Sequence, residues 1–129
     1  MGRNFRSIKA WQLAGELVVV VYEATKSFPD EERYGLVAQM RRAAISIAAN
    51  IAEGATRNSP KEYAQFLSVA KGSAAELECY LHLSRRLGYL TEERYHTLLQ
   101  LYSSTAKTLH GLCRFIELRK GLEPVFARV

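Results

Sequence analysis

Nothing in this sequence is apolar for long enough to cross a membrane. The longest apolar run extends only from Leu17 to Tyr22, against the roughly 20 residues that a spanning helix requires. The opening, Met1 to Arg6, has neither an apolar core nor a small-residue cleavage site, so no signal peptide is expected. Cysteine is scarce as well. Cys79 and Cys113 are the only two, and neither has a partner at metal-ligand spacing. That argues against a disulfide scaffold or a zinc cluster and leads us to expect a reduced, cytoplasmic protein. Glycines stand singly, mostly at the ends of helical patterns, so there is no Gly-rich phosphate loop. No glycine-flanked serine turn follows a strand, and there is no strand alternation, long linker or internal repeat.

What is present suits one globular domain spanning 1–129. The chain has 129 residues, 48% hydrophobic and 24% charged, enough to build a core and too apolar for a disordered chain. Its formal net charge of +5 favours acidic partners, nucleic acid first.

Four amphipathic helices can be read from the spacing. Helix one runs from about Ser7 to Ser27 on Trp11, Ala14, Val18, Val21, Tyr22 and Thr25, and the Phe28-Pro29 step stops it. Helix two runs from about Glu31 to Glu53 on Leu36, Met40, Ala43, Ile47 and Ile51, with Asp30 as its cap and Gly54 as a left-handed terminator. Ser59, Pro60 and Glu62 form the clearest start signal in the chain, a capping box with proline at the first helical position. Helix three then continues to Leu87, with Tyr63, Phe66, Leu67, Ala70, Ala74, Leu77, Tyr80, Leu81 and Leu87 inward, and Gly88 ends it. Thr91 caps helix four, which runs to about Lys120 through Tyr95, Leu98, Leu99, Tyr102, Ala106, Leu109, Cys113 and Ile116; Gly121 and Pro124 close it. Long helices with short connections fold as an all-α, antiparallel up-and-down four-helix bundle.

The apolar stripes are wider than the ~100° that a lone bundle needs. Leu101, Thr105, Thr108, Leu112 and Phe115 make a second row on helix four, and Leu13, Val20 and Ala24 widen the seam of helix one. Ala64, Ser68, Gly72, Ala75 and Cys79 give helix three a small-residue outer face open to close approach by another backbone. Ordered rows of this kind predict self-association.

Candidate chemistry is thin. Glu93 and His96 form Glu-x-x-His, half of a di-iron ligand set, but His82 and His110 lack the matching glutamate, so no metal and no cofactor are expected. Cys79 and Cys113 lie in helices with no activating base, so no catalytic residue is assigned and no enzyme activity is expected. Helix two carries a polar stripe of Gln39, Arg42, Ser46, Asn50 and Glu53, and Glu76 lies at the margin of helix three. Two readings stand: a ligand-contacting polar groove, or a solvated face or internal network that fixes register. Because such a stripe on an otherwise apolar helix is hard to place fully in water, Arg42, Asn50, Glu53 and Glu76 are expected to be partly buried and linked by hydrogen bonds. Basic residues cluster as Lys107, His110 and Arg114 on helix four, Arg119 and Lys120 at its end, Arg57 and Lys61 in the second loop, Arg85 and Arg86 at the end of helix three, and Arg3, Arg6 and Lys9 at the start. These are candidate phosphate contacts. No helix-turn-helix, zinc finger or aromatic-bearing sheet supports reading of bases.

The block Phe28-Pro29, Tyr34-Gly35-Leu36, Gln39, Arg41-Arg42-Ala43-Ala44, Ser46-Ile47 and Asn50-Ile51-Ala52-Glu53-Gly54 resembles the core of the bacterial four-helix bundle proteins of ribosomal RNA intervening sequences. The likeness continues through Arg57, Ser59-Pro60-Lys61-Glu62, Phe66-Leu67, Gly72-Ser73, Glu76-Leu77-Glu78 and Leu87-Gly88-Tyr89-Leu90, and departs at Ala48-Ala49, where a proline or polar residue is expected. The resemblance implies a bundle that assembles into rings of five, with no enzymatic activity. A similar group, the accessory variability determinants of diversity-generating retroelements, implies basic pentamers that bind nucleic acid and a reverse transcriptase. The expected function is therefore a nucleic-acid-associated homo-oligomer that contacts RNA or DNA backbone. The alternative is a scaffold for another protein, or a protein that persists with its mobile insertion.

Overall fold

The computed structural model describes residues 4–121; Arg3 and Pro124 lie outside the described residues. Four helices carry the chain: α1 (Lys9–Thr25), α2 (Leu36–Ala55), α3 (Pro60–Arg86) and α4 (Glu92–Lys120), with 3-10 turns at Phe5–Ser7 and Asp30–Glu32. No strand occurs among the described residues. Each helix packs on the next, and α1 closes the ring against α4. This is the expected antiparallel up-and-down four-helix bundle. Among the described residues no helix is long and apolar enough to cross a membrane.

Most boundaries follow their local signals. The Ser59 hydroxyl accepts the Glu62 N–H at 3.2 Å, and Thr91 Oγ1 accepts that of Arg94 at 3.1 Å, so one orphan donor is satisfied at the start of α3 and one at the start of α4. Gly88, at φ 78°, takes the left-handed conformation that ends α3.

Two expectations are corrected. Helix two begins at Leu36, not Glu31, because Asp30 opens only a 3-10 turn. Glu32 reaches forward across the turn instead, and its carboxylate accepts the Leu36 N–H at 3.1 Å. A side chain on Gly35 would crowd that carboxylate, whose Oε1 lies 2.9 Å from the position of a Cβ. Gly54 is the second correction: α2 passes through it to Ala55 and ends at Thr56 in right-handed geometry. Its role is close approach. A Cβ there would stand 2.9 Å from Tyr63 Cδ1 and 3.0 Å from Phe66 Cβ.

The core is filled by Leu17 and Val21 from α1, Met40, Ile47 and Ile51 from α2, Leu67, Leu77 and Leu81 from α3, and Leu98, Leu109 and Ile116 from α4. Each such side chain contributes about 1.5–3 kcal/mol by leaving water. Leu87, expected inward, is 55% exposed because the helix ends there and the chain turns at Gly88. Conversely Ser84 and Thr105 are buried, each with its hydroxyl donated to a carbonyl one turn back, at 2.7 and 2.8 Å.

Gly54 and Gly72 should therefore respond oppositely to alanine. Nothing lies within 4 Å of a Cβ at Gly72, so Gly72→Ala should hold or raise stability by up to about 1 kcal/mol through helix propensity. Gly54→Ala should cost about 1–3 kcal/mol through overpacking against Tyr63 and Phe66. Urea unfolding of both variants at one protein concentration checks the contrast in sign.

Candidate nucleic-acid interface

The loop between α2 and α3 and the last turn of α4 meet at one end of the bundle. There Arg57, Asn58, Ser59 and Arg119 line a small cavity of about 130 Å³, with Ile116 and Tyr63 on its apolar side. Arg57 and Arg119, far apart in sequence, thus share one opening at the N-terminus of α3, where the helix dipole also favours an anion. Arg119 lies 5.5 Å from the Phe115 ring centroid and has no carboxylate partner among the described residues; Arg57 covers Phe66 at 4.6 Å and pairs with Glu53 at 2.9 Å. Lys61, in the first turn of α3, is exposed without an ion pair among the described residues, and Lys120 reaches Glu117 at 3.4 Å. The loop cluster and the helix-four end, separate in the sequence, form one surface.

Lys107, His110 and Arg114 are all exposed on α4, and neither Lys107 nor Arg114 makes an ion pair among the described residues. Side chains that are exposed and free of carboxylates are available to phosphate. Arg85 is not: its guanidinium donates two bonds to Glu92, both 2.9 Å, while it stacks 4.6 Å from the Tyr95 ring. That pairing holds the Glu92 carboxyl below its ordinary value.

The polar stripe of α2 is not one buried network. It breaks into three pieces along the edge of the α2–α3 contact. Arg42 pairs with Glu76 across the helices at 3.1 Å, with the two side chains 50% and 45% exposed. Asn50 donates back to the Ser46 carbonyl at 2.8 Å, and Ser46 shares a 2.7 Å hydroxyl contact with buried Ser73. Glu53 is linked to neither; it meets only Arg57, on the exposed side, in an i,i+4 pair of a kind that contributes about 0.3–0.5 kcal/mol. The reason is packing. Met40, Ala43, Ile47 and Ile51 occupy the interior of the contact and leave the polar side chains its solvent margin.

Sequence reading passed over a second polar set, joining α3 to α4. Tyr95, buried, shares a 2.8 Å contact with His82 Nδ1, and Tyr102 donates to Glu78 at 3.4 Å. The signal was there in two tyrosines on the inner seam, whose hydroxyls need partners when buried. Burial first, then the nearby Glu78 charge, pushes the Tyr102 phenol up to about 12. Burial likewise pushes the Cys113 thiol up, away from the reactive thiolate, while Cys79 is exposed on the small-residue face of α3. Glu93 and His96 are both exposed, and no group of three or more His, Cys, Asp or Glu fit for a metal occurs among the described residues.

Fold and surface together define a basic helical-bundle protein. The chain belongs to the family described as 23S rRNA-intervening sequence protein, which it matches over residues 6–111. It is also similar to a solved structure from Bacteroides thetaiotaomicron, a protein of unknown function from the S23 ribosomal protein family: 26% identity, TM-score 0.74, covering 81% of this chain and 97% of that one. Comparison with curated proteins gives no match.

The Tyr102 phenol supplies a test of the α3–α4 contact. Its raised value means that the unfolded chain loses this proton first as pH climbs, so the stability it contributes is complete below about pH 10 and is lost towards pH 12. Ultraviolet titration should show one tyrosine ionising late, and Tyr102→Phe should remove that step and flatten the alkaline loss of stability.

Proposed function

We propose that this protein is a non-enzymatic, self-associating bundle that contacts the phosphate backbone of RNA or DNA, working in the cytoplasm as an accessory factor. The observation that carries the reading is the convergence of Arg57 and Arg119 on one cavity, with Lys61 in the first turn of α3 and Lys120 at the end of α4 close to them in sequence, and with Lys107 and Arg114 exposed further along α4. The +5 charge per chain supports it, as does the family's tie to ribosomal RNA genes. Backbone contact without base reading is what exposed cations on rigid helices supply.

Self-association is supported by the apolar groups that one bundle leaves uncovered. Val69 is 53% exposed, Phe115 53% and Leu118 74%. Ala75, Cys79 and Gly72 are also exposed along α3, whereas Thr105 of the helix-four row is taken into the protomer's own core. The family resemblance favours five copies. Assembly multiplies the basic end, so weak phosphate contacts act together. A second reading, a docking scaffold for a protein helix, is favoured by an apolar groove of about 540 Å³ between α2 and α3, lined by Leu36, Tyr80, Leu83 and Leu87.

Light scattering at micromolar concentration should give a particle well above the 14.6 kDa monomer. Gly72→Leu, at an exposed position where a Cβ has nothing within 4 Å, should lower that mass if the small row is a contact between copies.

Fluorescence anisotropy with short RNA and DNA should show binding that weakens steeply with salt. Lys107→Glu with Arg114→Glu should weaken unrelated sequences alike and reduce the salt slope by about one per lost contact. Absence of binding at about 50 mM salt by the assembled protein would leave the scaffold reading in its place.

A further inference from the structure

A second set of cations lies away from the basic end, in the furrow between α1 and α2. Arg33, Arg41 and Arg42 line a shallow groove of about 580 Å³ together with Tyr22 and Ser46, and no carboxylate is part of its lining. The three guanidiniums are not equivalent. Arg42 is turned to Glu76 and Gln39. Arg41 is fixed without any carboxylate: its Nε–H donates to Thr25 Oγ1 at 3.0 Å, one Nη2–H to the Tyr22 carbonyl at 3.4 Å, and its plane lies 4.4 Å from the Tyr22 ring centroid. A guanidinium has five N–H donors, so three remain on a group that is already oriented. Arg33 is exposed and has no ion pair among the described residues. The adjoining hollow is lined by Asp30 together with Lys26, Arg33 and Arg41, so the balance of charge in its lining is positive.

Beside the groove stands an aromatic ring with no structural task. Tyr34 is 87% exposed, and the Arg33 guanidinium lies 5.9 Å from its ring centroid. A large exposed ring next to one unpaired guanidinium and close in sequence to a second that is already oriented is the combination that grips a flexible polyanion with flat faces: charge for the backbone, stacking for a base. A duplex keeps its base faces covered and cannot use the ring.

We propose that the α1–α2 groove is a site for single-stranded nucleic acid, with Arg41 and Arg33 binding a phosphate and Tyr34 stacking on the neighbouring base. The inference rests on the reading of the protein as a nucleic-acid binder and names a site which that reading does not contain. Arg41 holds the phosphate because Thr25 and the Tyr22 carbonyl fix its fork. Arg33 closes over the strand from the turn before α2.

The test uses the full chain and fluorescein-labelled oligothymidylate and oligouridylate of about twelve nucleotides, at about 50 mM salt, with a duplex of equal length as control. Arg33→Glu and Tyr34→Ala are both surface changes, and each is checked for unchanged helicity. Arg33→Glu should weaken single-strand binding about tenfold and lower the salt slope by about one. Tyr34→Ala should weaken it about fivefold while changing duplex binding little. A wild type that binds while both variants stay within twofold of it would overturn the groove and leave the basic end as the interface. Equal competition by polyglutamate of matching charge would also overturn it, as would wild-type protein that binds no oligonucleotide, and that last result alone removes the wider reading too.

Discussion

The closeness of α2 to α3 governs the arrangement of much else. Gly54 presses on Tyr63 and Phe66, while Ala43, Ala70 and Ala74 add little bulk along the same contact. Larger residues at these positions would separate the helices and open space beside Ile47, Ile51, Leu67 and Leu77, and close-packed interiors do not tolerate such space. The short separation also lets the Ser46 and Ser73 hydroxyls meet at 2.7 Å. Longer polar side chains have no room in that seam and are displaced to its edge. There Arg42 meets Glu76 in partial contact with water, and the pair gives register more than stability.

Charge is partly matched at both ends of the bundle. At the end that carries Phe28, the turn before α2 and the α3–α4 connection, Arg85 is paired with Glu92, and Glu32 is engaged by Leu36 N–H and the Tyr89 hydroxyl, while Arg33 has no ion pair among the described residues. At the other end Arg57 and Lys120 are paired with Glu53 and Glu117, while Arg119 and Lys61 have no ion pair among the described residues. Cations left over at both ends draw the molecule towards a polyanion, an effect that salt suppresses.

Helix number, order and polarity were legible because periodicity and punctuation agreed: the Ser59-Pro60-Glu62 start and the Gly88 stop stand where they were read. Gly54 shows the limit. A glycine after a helical run is the ordinary sign of a left-handed end, and only the position of Tyr63 and Phe66 across the contact reveals a packing role. Asp30 reads as the cap, but the helix starts later, at Leu36, and Glu32, nearer to that start, accepts its N–H instead. The basic clusters were visible as residues but not as neighbours. That Arg57 and Arg119 share a cavity depends on how α4 ends against the α2–α3 loop. The engagement of Arg41 with Thr25 and Tyr22 depends on how α1 packs against α2.

An even number of alternating helices returns the chain to where it set out. The start of α1, preceded by a turn that packs on α2, and the last turn of α4, beside the α2–α3 loop, lie at the same end of the bundle. Asn4 and Gly121 therefore both stand at the end that carries Arg57 and Arg119, while the opposite end carries the connections around Pro29 and Gly88. A bulky group attached at Asn4 or Gly121 would shade that face. A handle that must leave this face clear belongs at the far end, in the connection around Gly88.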